Sequence, residues 1–296
     1  MNSIRLACAQ IKLENTKNWA DIKDEILDIV RFCSTNKTDI IILPSFIFFY
    51  LSGGYNNTIQ DFFNIYNHRK ALEVKDMYLT YIQKLCKKYG VIICPGNLWE
   101  YHEGGIRNCS YIIDERGQTI GNQAQTHINI WEKQLNFTGS SCINVIKTGK
   151  CNIGILMGCD CWVPELGRIL SLSGANILIG LNYLLWKNYN YQLSGIWQQV
   201  QQNQVFAAEV MPSGRLFGLK LYGCPSIYGP CEITQGQTGI IAKQSYNDTQ
   251  GIITAQIDFN KREELIEKYD ILKCLNPSLY NKYFPHIYGY GKGNDN

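Results

Sequence analysis

The stretch Gly154-Ile-Leu-Met-Gly-Cys-Asp-Cys-Trp-Val-Pro-Glu-Leu-Gly-Arg168 constrains this chain more tightly than any other. An apolar run, a sharp turn of glycine and cysteines, and a proline that opens a helix follow one another with no spacer. Proline is tolerated in the first turn of a helix, where its missing N–H has no intrahelical partner to lose. The unit therefore reads strand, elbow, helix. The same alternation of short apolar runs with helical patterns continues along the chain and predicts an α/β layered fold. The expected strands are Ile4–Ala9, Ile40–Leu43, Val91–Cys94, Ser110–Asp114, Ile153–Met157, Ile177–Ile179, Val205–Ala208 and Ile252–Ile257. Between the first two, Trp19, Ile22, Ile26, Ile29, Val30 and Cys33 recur at three- and four-residue spacing, which is the stripe of an amphipathic helix. Further helices are expected over Val74–Lys88, ended by Tyr89-Gly90, from Pro164, and over Ser194–Asn203.

Of the 296 residues, 45% are hydrophobic, enough for one large core. A single domain over residues 1–284 is expected, with a loose Gly-, Tyr- and Asn-rich tail at 285–296. The net charge is +3 without a long basic run, so neither nucleic acid nor a membrane surface is implied. The N-terminus lacks the apolar core of a signal peptide, and no apolar run approaches the roughly 18 residues of a spanning helix. The twelve cysteines are scattered through apolar runs. Most of them read as buried free thiols of a cytoplasmic protein. Glycine pairs such as Gly104-Gly105 lack the strand–GxGxxG–helix context, so no nucleotide cofactor is expected. Cys159-Asp-Cys161 fits no standard zinc spacing, so no metal is expected either.

Six further strings stand in order along the chain. They are Ile4-Arg-Leu-Ala-Cys-Ala-Gln10; Asp39-Ile-Ile-Ile-Leu-Pro44 with Gly53-Gly54-Tyr55; Gly104-Gly-Ile-Arg-Asn108 through Gly121; Gly223 through Pro230; Ala255-Gln-Ile-Asp258; and Asn276-Pro-Ser-Leu-Tyr280. Together with the elbow they resemble the nitrilase (carbon–nitrogen hydrolase) superfamily over nearly the whole chain. The resemblance implies an α-β-β-α sandwich, usually dimeric or larger. It also implies chemistry by a glutamate base, a lysine that steadies the oxyanion, and a cysteine nucleophile.

The residues matched to those three positions differ here. Ser45 follows Pro44 where the glutamate belongs, Gln125 precedes Thr126-His127 where the lysine belongs, and counting back from Pro164 puts Gly158 on the nucleophile. The same count puts Cys159 on an aromatic position and Asp160 on the family aspartate. Trp131-Glu132-Lys133 resembles the segment that supplies an auxiliary glutamate, so Glu132 is expected as a pocket carboxylate. The expected ligand pocket comprises Ser45, Gln125, His127, Glu132, Gly158, Cys159 and Asn182, with His127 as a structural donor.

Two functions follow. In the first, the chain is a catalytically inactive pseudoenzyme that binds a small amide-like ligand or serves as a scaffold. It would do so as a homodimer or higher oligomer, or beside an active paralogue or pathway enzyme. Tyr280, Tyr283, Tyr288 and Tyr290 could decorate such an interface. In the alternative, it is an active carbon–nitrogen hydrolase with relocated chemistry through Cys159 or Glu132.

Overall fold

The computed structural model describes residues 3–14, 17–52, 58–185, 192–245 and 250–288. Gly53-Gly54-Tyr55, Tyr290 and residues 289–296 of the expected tail lie outside the described residues.

Alternation along the strands decides the architecture. In β1 (Ser3–Gln10), Ile4, Leu6 and Cys8 face one layer and Ala7 and Ala9 the other, as the two-residue period of a strand requires. β1 pairs antiparallel with β16 (Gly251–Asp258) and parallel with β3 (Ile40–Ile42), which pairs parallel with β4 (Ile92–Cys94). β6 (Gly105–Ile113) continues the sheet and is flanked by β5 (Asn97–His102) and β7 (Thr119–Ala124), giving seven strands. The second sheet has six strands. Its parallel centre is β9 (Asn152–Met157), β10 (Ile177–Leu181) and β11 (Phe206–Val210). β8 (Val145–Lys147) lies on one side, and β14 (Ser226–Tyr228) and β15 (Ile240–Lys243) on the other. A small ribbon joins β2 (Lys12–Leu13), β12 (Ser213–Leu216) and β13 (Leu219–Leu221).

The two sheets pack face to face through Leu6, Ile40 and Ile42 from the first and Ile153, Ile155, Ile179 and Phe206 from the second. The outer face of the first sheet carries Ala7, Ala9, Ile41 and Ile93 against the helices Trp19–Thr35 and His68–Tyr89. The outer face of the second carries Leu156, Leu178 and Ala207 against Pro164–Leu172 and Gln198–Asn203. This is the α-β-β-α sandwich. Each buried apolar side chain of that size is worth about 1.5–3 kcal/mol, so three stacked apolar layers dominate the fold's stability.

All eight expected strands form. The helix expected to begin at Val74 starts earlier, at His68, because Asn67 accepts from Lys70 N and caps it. It ends at Gly90 with φ +65°, as the Tyr89-Gly90 pair predicts. The helix expected over Ser194–Asn203 is a π turn at Leu193–Trp197 leading into an α turn at Gln198–Asn203. The tail was placed from Pro285, yet the last helix runs Pro277–Ile287 and takes Pro285 into its final turns. Leu279, Tyr283 and Ile287 prolong its apolar spacing past the proline. Several strands escape sequence reading, because pieces such as Leu219–Leu221 are too short to show a period.

The ends of β3 and β4 come together at Gly96. With φ +80°, a Cβ built there would lie 2.1 Å from the Pro44 carbonyl oxygen, directly before Ser45. Gly90 has a similar φ of +65° and open space around it. Gly90→Ala should therefore cost only the left-handed backbone penalty, about 1–2 kcal/mol. Gly96→Ala should cost clearly more, since the loop before Ser45 must also move. Urea unfolding of the two variants measures the difference; equal losses would mean that the Pro44 contact is soft.

Candidate functional site

The elbow forms as its sequence demands. β9 ends at Met157, Gly158 turns the chain with φ +50°, one tight turn runs to Trp162, and Pro164 starts the next helix. A Cβ at Gly158 would sit 3.0 Å from Gln125 Nε2. Positions 125 and 158, far apart in sequence, are thus neighbours in the fold.

Gln125 is buried and uses both ends of its amide. Its Oε1 accepts from Asn108 Nδ2 at 2.7 Å. Its Nε2 donates to His127 O at 2.8 Å and to the Glu132 carboxylate at 3.1 and 3.3 Å. Upstream, Asn97 Nδ2 donates to Asn108 Oδ1 at 2.6 Å, and Phe46 N–H donates to Asn97 Oδ1 at 2.7 Å. The result is a relay in one direction, from the backbone beside Ser45 to Glu132, in which every amide both accepts and donates. A lysine ammonium has three donors and no acceptor, so it could not receive the Asn108 N–H. Glutamine suits this relay. Ser45 itself is buried at its start.

Glu132 is also fixed locally. Asn129 and Glu132 form a capping box, with Asn129 N–H donating to Glu132 Oε2 and Glu132 N–H to Asn129 Oδ1, both at 2.9 Å. Burial pushes the Glu132 carboxyl above the usual carboxylate range, against the bonds from Asn129 and Gln125. Cys159 is half-buried, and its thiol is pushed up by burial and by the nearby Glu132 charge, while Asn129 pulls it down. Tyr183 joins the same group. Its hydroxyl accepts from Trp131 Nε1 at 3.1 Å and is pushed up by burial and by Glu132.

Asp160, 1% exposed, ties the elbow to the segment after Gln125. It accepts from Thr126 N at 2.9 Å, Thr126 Oγ1 at 2.7 Å and His127 N at 2.8 Å, with His127 Nδ1 at 3.1 Å. His127 is half-exposed and turned to this aspartate. Cys161 packs in the core beneath the helix from Pro164. Asn182 does not join the Gln125–Glu132 group. Its Oδ1 accepts from Tyr183 N at 2.8 Å and its Nδ2 faces Glu209 at 3.4 Å, so it supports Tyr183 from behind.

Glu209 was missed in the sequence. Its signal is an acid inside the otherwise apolar run Val205-Phe-Ala-Ala-Glu-Val210. It is fully buried, accepting from Gln192 Nε2 at 3.0 Å and Tyr228 OH at 3.1 Å. Burial pushes its pKa up to about 7, against the bonds from Gln192, Asn182 and Tyr228. Among the described residues, no group of three or more His, Cys, Asp and Glu is arranged to hold a metal ion.

A parallel-centred double sandwich with a strand–elbow–helix at one sheet end and a buried carboxylate beside it defines an α-β-β-α class of protein. Comparison with known proteins makes that specific: the pattern of the carbon–nitrogen hydrolase family matches residues 5–267, and the chain belongs to that family. It is 26% identical over 214 residues to an N-carbamoylputrescine amidase of Arabidopsis thaliana, covering 67% of this chain and 70% of that protein. It is 23% identical over 300 residues to a citrullinase of Francisella tularensis, covering 95% and 98%. The crystal structure of a carbon–nitrogen hydrolase from Helicobacter pylori G27 superposes with a TM-score of 0.77 at 19% identity, covering 95% of this chain and 98% of that one. That likeness concerns the fold.

Two outcomes follow from this geometry. Gln125→Lys should destabilise the fold by about 1–3 kcal/mol, because the buried Asn108 amide loses its acceptor; an unchanged urea midpoint would show that the relay can rearrange. Glu209 contributes with the opposite pH sense to a paired surface acid. Its folded pKa lies above the ordinary 4.5, so its stabilisation is complete below that value and is lost as pH rises to about 7. Between pH 5 and 8 the parent should lose roughly 2–3 kcal/mol through this group. Glu209→Gln should remove most of that slope in urea unfolding, and an undiminished slope would assign it elsewhere.

Proposed function

We propose that this chain hydrolyses the carbon–nitrogen bond of a small amide-type substrate, with Cys159 as nucleophile and Glu132 as its proton acceptor. The observation that carries this reading is geometric: Gly158, directly before the half-buried Cys159, packs on the Gln125 amide, which bonds the buried Glu132 carboxylate at 3.1 and 3.3 Å. The family and the amidase names of its relatives support the reaction class.

The steps balance as follows. Glu132 takes the thiol proton and the sulfur attacks the carbonyl carbon. The C–N bond then breaks, with the proton returning from Glu132 to the leaving nitrogen. Water, deprotonated by Glu132, attacks the thioester carbon. The C–S bond breaks, the proton that Glu132 took from water passes to the departing Cys159 thiolate, and a carboxylic acid leaves. A raised carboxylate pKa suits this role, since a base whose pKa lies nearer neutrality transfers protons more efficiently. The Asn129 amide and the Trp131–Tyr183 pair are the polar groups beside the thiol.

A second reading is favoured by one specific observation: the elbow residue is Gly158 and the Gln125 amide closes over it. The positions matched to the family's base, cation and nucleophile then hold Ser45, Gln125 and Gly158, and none supplies a strong base, a charge or a thiol. On this reading the site holds an amide-like ligand without turning it over, within a homodimer or beside an active relative.

Ammonia release from a panel of amides, N-carbamoyl amines and nitriles separates the two. Under the hydrolase reading the parent releases ammonia, Cys159→Ala falls to background, and Glu132→Gln falls by about 100- to 10,000-fold. No release from the parent overturns the hydrolase reading in favour of the binding one.

A further inference from the structure

We infer that the molecule this site takes is uncharged and carries an apolar or aromatic group, which lodges in an aromatic cavity adjoining Glu132. The inference rests on the reading that the Cys159–Glu132 site handles amide-type molecules. The cavity measures about 440 Å³, within the size range of small-ligand pockets. Phe46, Trp99, Trp131, Tyr183, Leu216 and Phe217 are half of the residues that line it. The rings make a continuous surface: Phe46 meets Trp99 edge-on at 6.2 Å and Tyr183 at 5.5 Å, and Tyr183 meets Trp131 at 6.4 Å.

Three observations join this cavity to the site. Trp131 directly precedes Glu132, and its indole N–H donates to Tyr183, whose hydroxyl lies within the field of Glu132 and Cys159. Phe46 follows Ser45 and holds a backbone φ of +73°, a conformation that a bulky residue adopts only when its surroundings enforce it. Its N–H is gripped by Asn97, the first amide of the relay that ends on Glu132. The same hydrogen-bond chain thus fixes an aromatic wall at one end and the carboxylate at the other.

The charge balance selects the ligand. None of the described residues lining the cavity is charged; Gln134 and the Tyr183 hydroxyl are its polar contributions. An ammonium or carboxylate entering it would lose its hydration with no opposite charge to meet. The compounds named for two relatives, N-carbamoylputrescine and citrulline, carry charged tails, for which this lining offers no opposite charge among the described residues.

Binding is measured by calorimetry on the full chain with acetamide, hexanamide, 3-phenylpropionamide, N-carbamoylputrescine and citrulline, and ammonia release is scored in parallel. The expected result is at least about tenfold tighter binding of 3-phenylpropionamide than of acetamide. The two charged compounds should bind no better than acetamide. Leu219→Asp, at the exposed rim of the cavity, should weaken 3-phenylpropionamide by at least about tenfold, while Ile130→Asp, more exposed still and outside the cavity lining, should not. Binding of the apolar amides without ammonia upholds this inference and removes the hydrolase reading. Faster turnover or tighter binding of the charged compounds, or no gain from the phenyl group, overturns the inference and leaves the hydrolase reading to its own test.

Discussion

The relay Phe46–Asn97–Asn108–Gln125–Glu132 is the interaction on which the rest of the site depends. It crosses the loop after β3, the strands β5 and β6, the end of β7 and the short helix Ile130–Gln134. Each link is buried, so an unmade bond would leave a polar atom stranded away from water, at a cost of about 1–3 kcal/mol. Every amide in the chain donates in the same direction, and such chains polarise one another, strengthening toward the carboxylate at the end. That arrangement explains how a carboxylate 3% exposed is tolerated without a cation beside it.

The second sheet solves the same problem with different parts. Asp160 collects donors from Thr126 and His127, which clamps the elbow onto the first sheet's outgoing segment. Glu209 collects a tyrosine and two amides, deep beside β14. Through Asn182 it sets the backbone of Tyr183, and Tyr183 meets Trp131. The two sheets therefore reach the site from opposite sides, each through a buried carboxylate and a short run of amides. Burial is the largest influence at both Glu132 and Glu209, outweighing their hydrogen bonds and, at Glu209, the charge of Lys243.

The chemistry proposed at Cys159 and the apolar cavity beside it share this scaffold. The family's fold is retained, and fold alone does not carry the substrate.

Much of the fold was legible in the residues. The two-residue alternation of β1, the stripe from Trp19 to Cys33 and the Pro164 helix start each state a local conformation, because backbone period and capping are local physics. Gly158, Glu132 and Cys159 stand out in the sequence as candidates, and the fold sets Gly158 against Gln125, which bonds Glu132. The relay was not legible, since Asn97 and Asn108 are ordinary asparagines until β5 and β6 pair Trp99 with Asn108 and bring their amides into reach. Glu209 offered only a misplaced charge in an apolar strand, and Asn182 was assigned to the pocket when it stands behind it. The aromatic cavity was invisible, because Phe46, Trp99, Trp131, Tyr183 and Phe217 come from five separate segments. Sequence by itself determined the layers, the elbow and the family, through period, turn chemistry and motif order. Only the tertiary structure decided which buried donor meets which carboxylate and what shape of ligand is left room, since those depend on side chains that meet through space rather than along the chain.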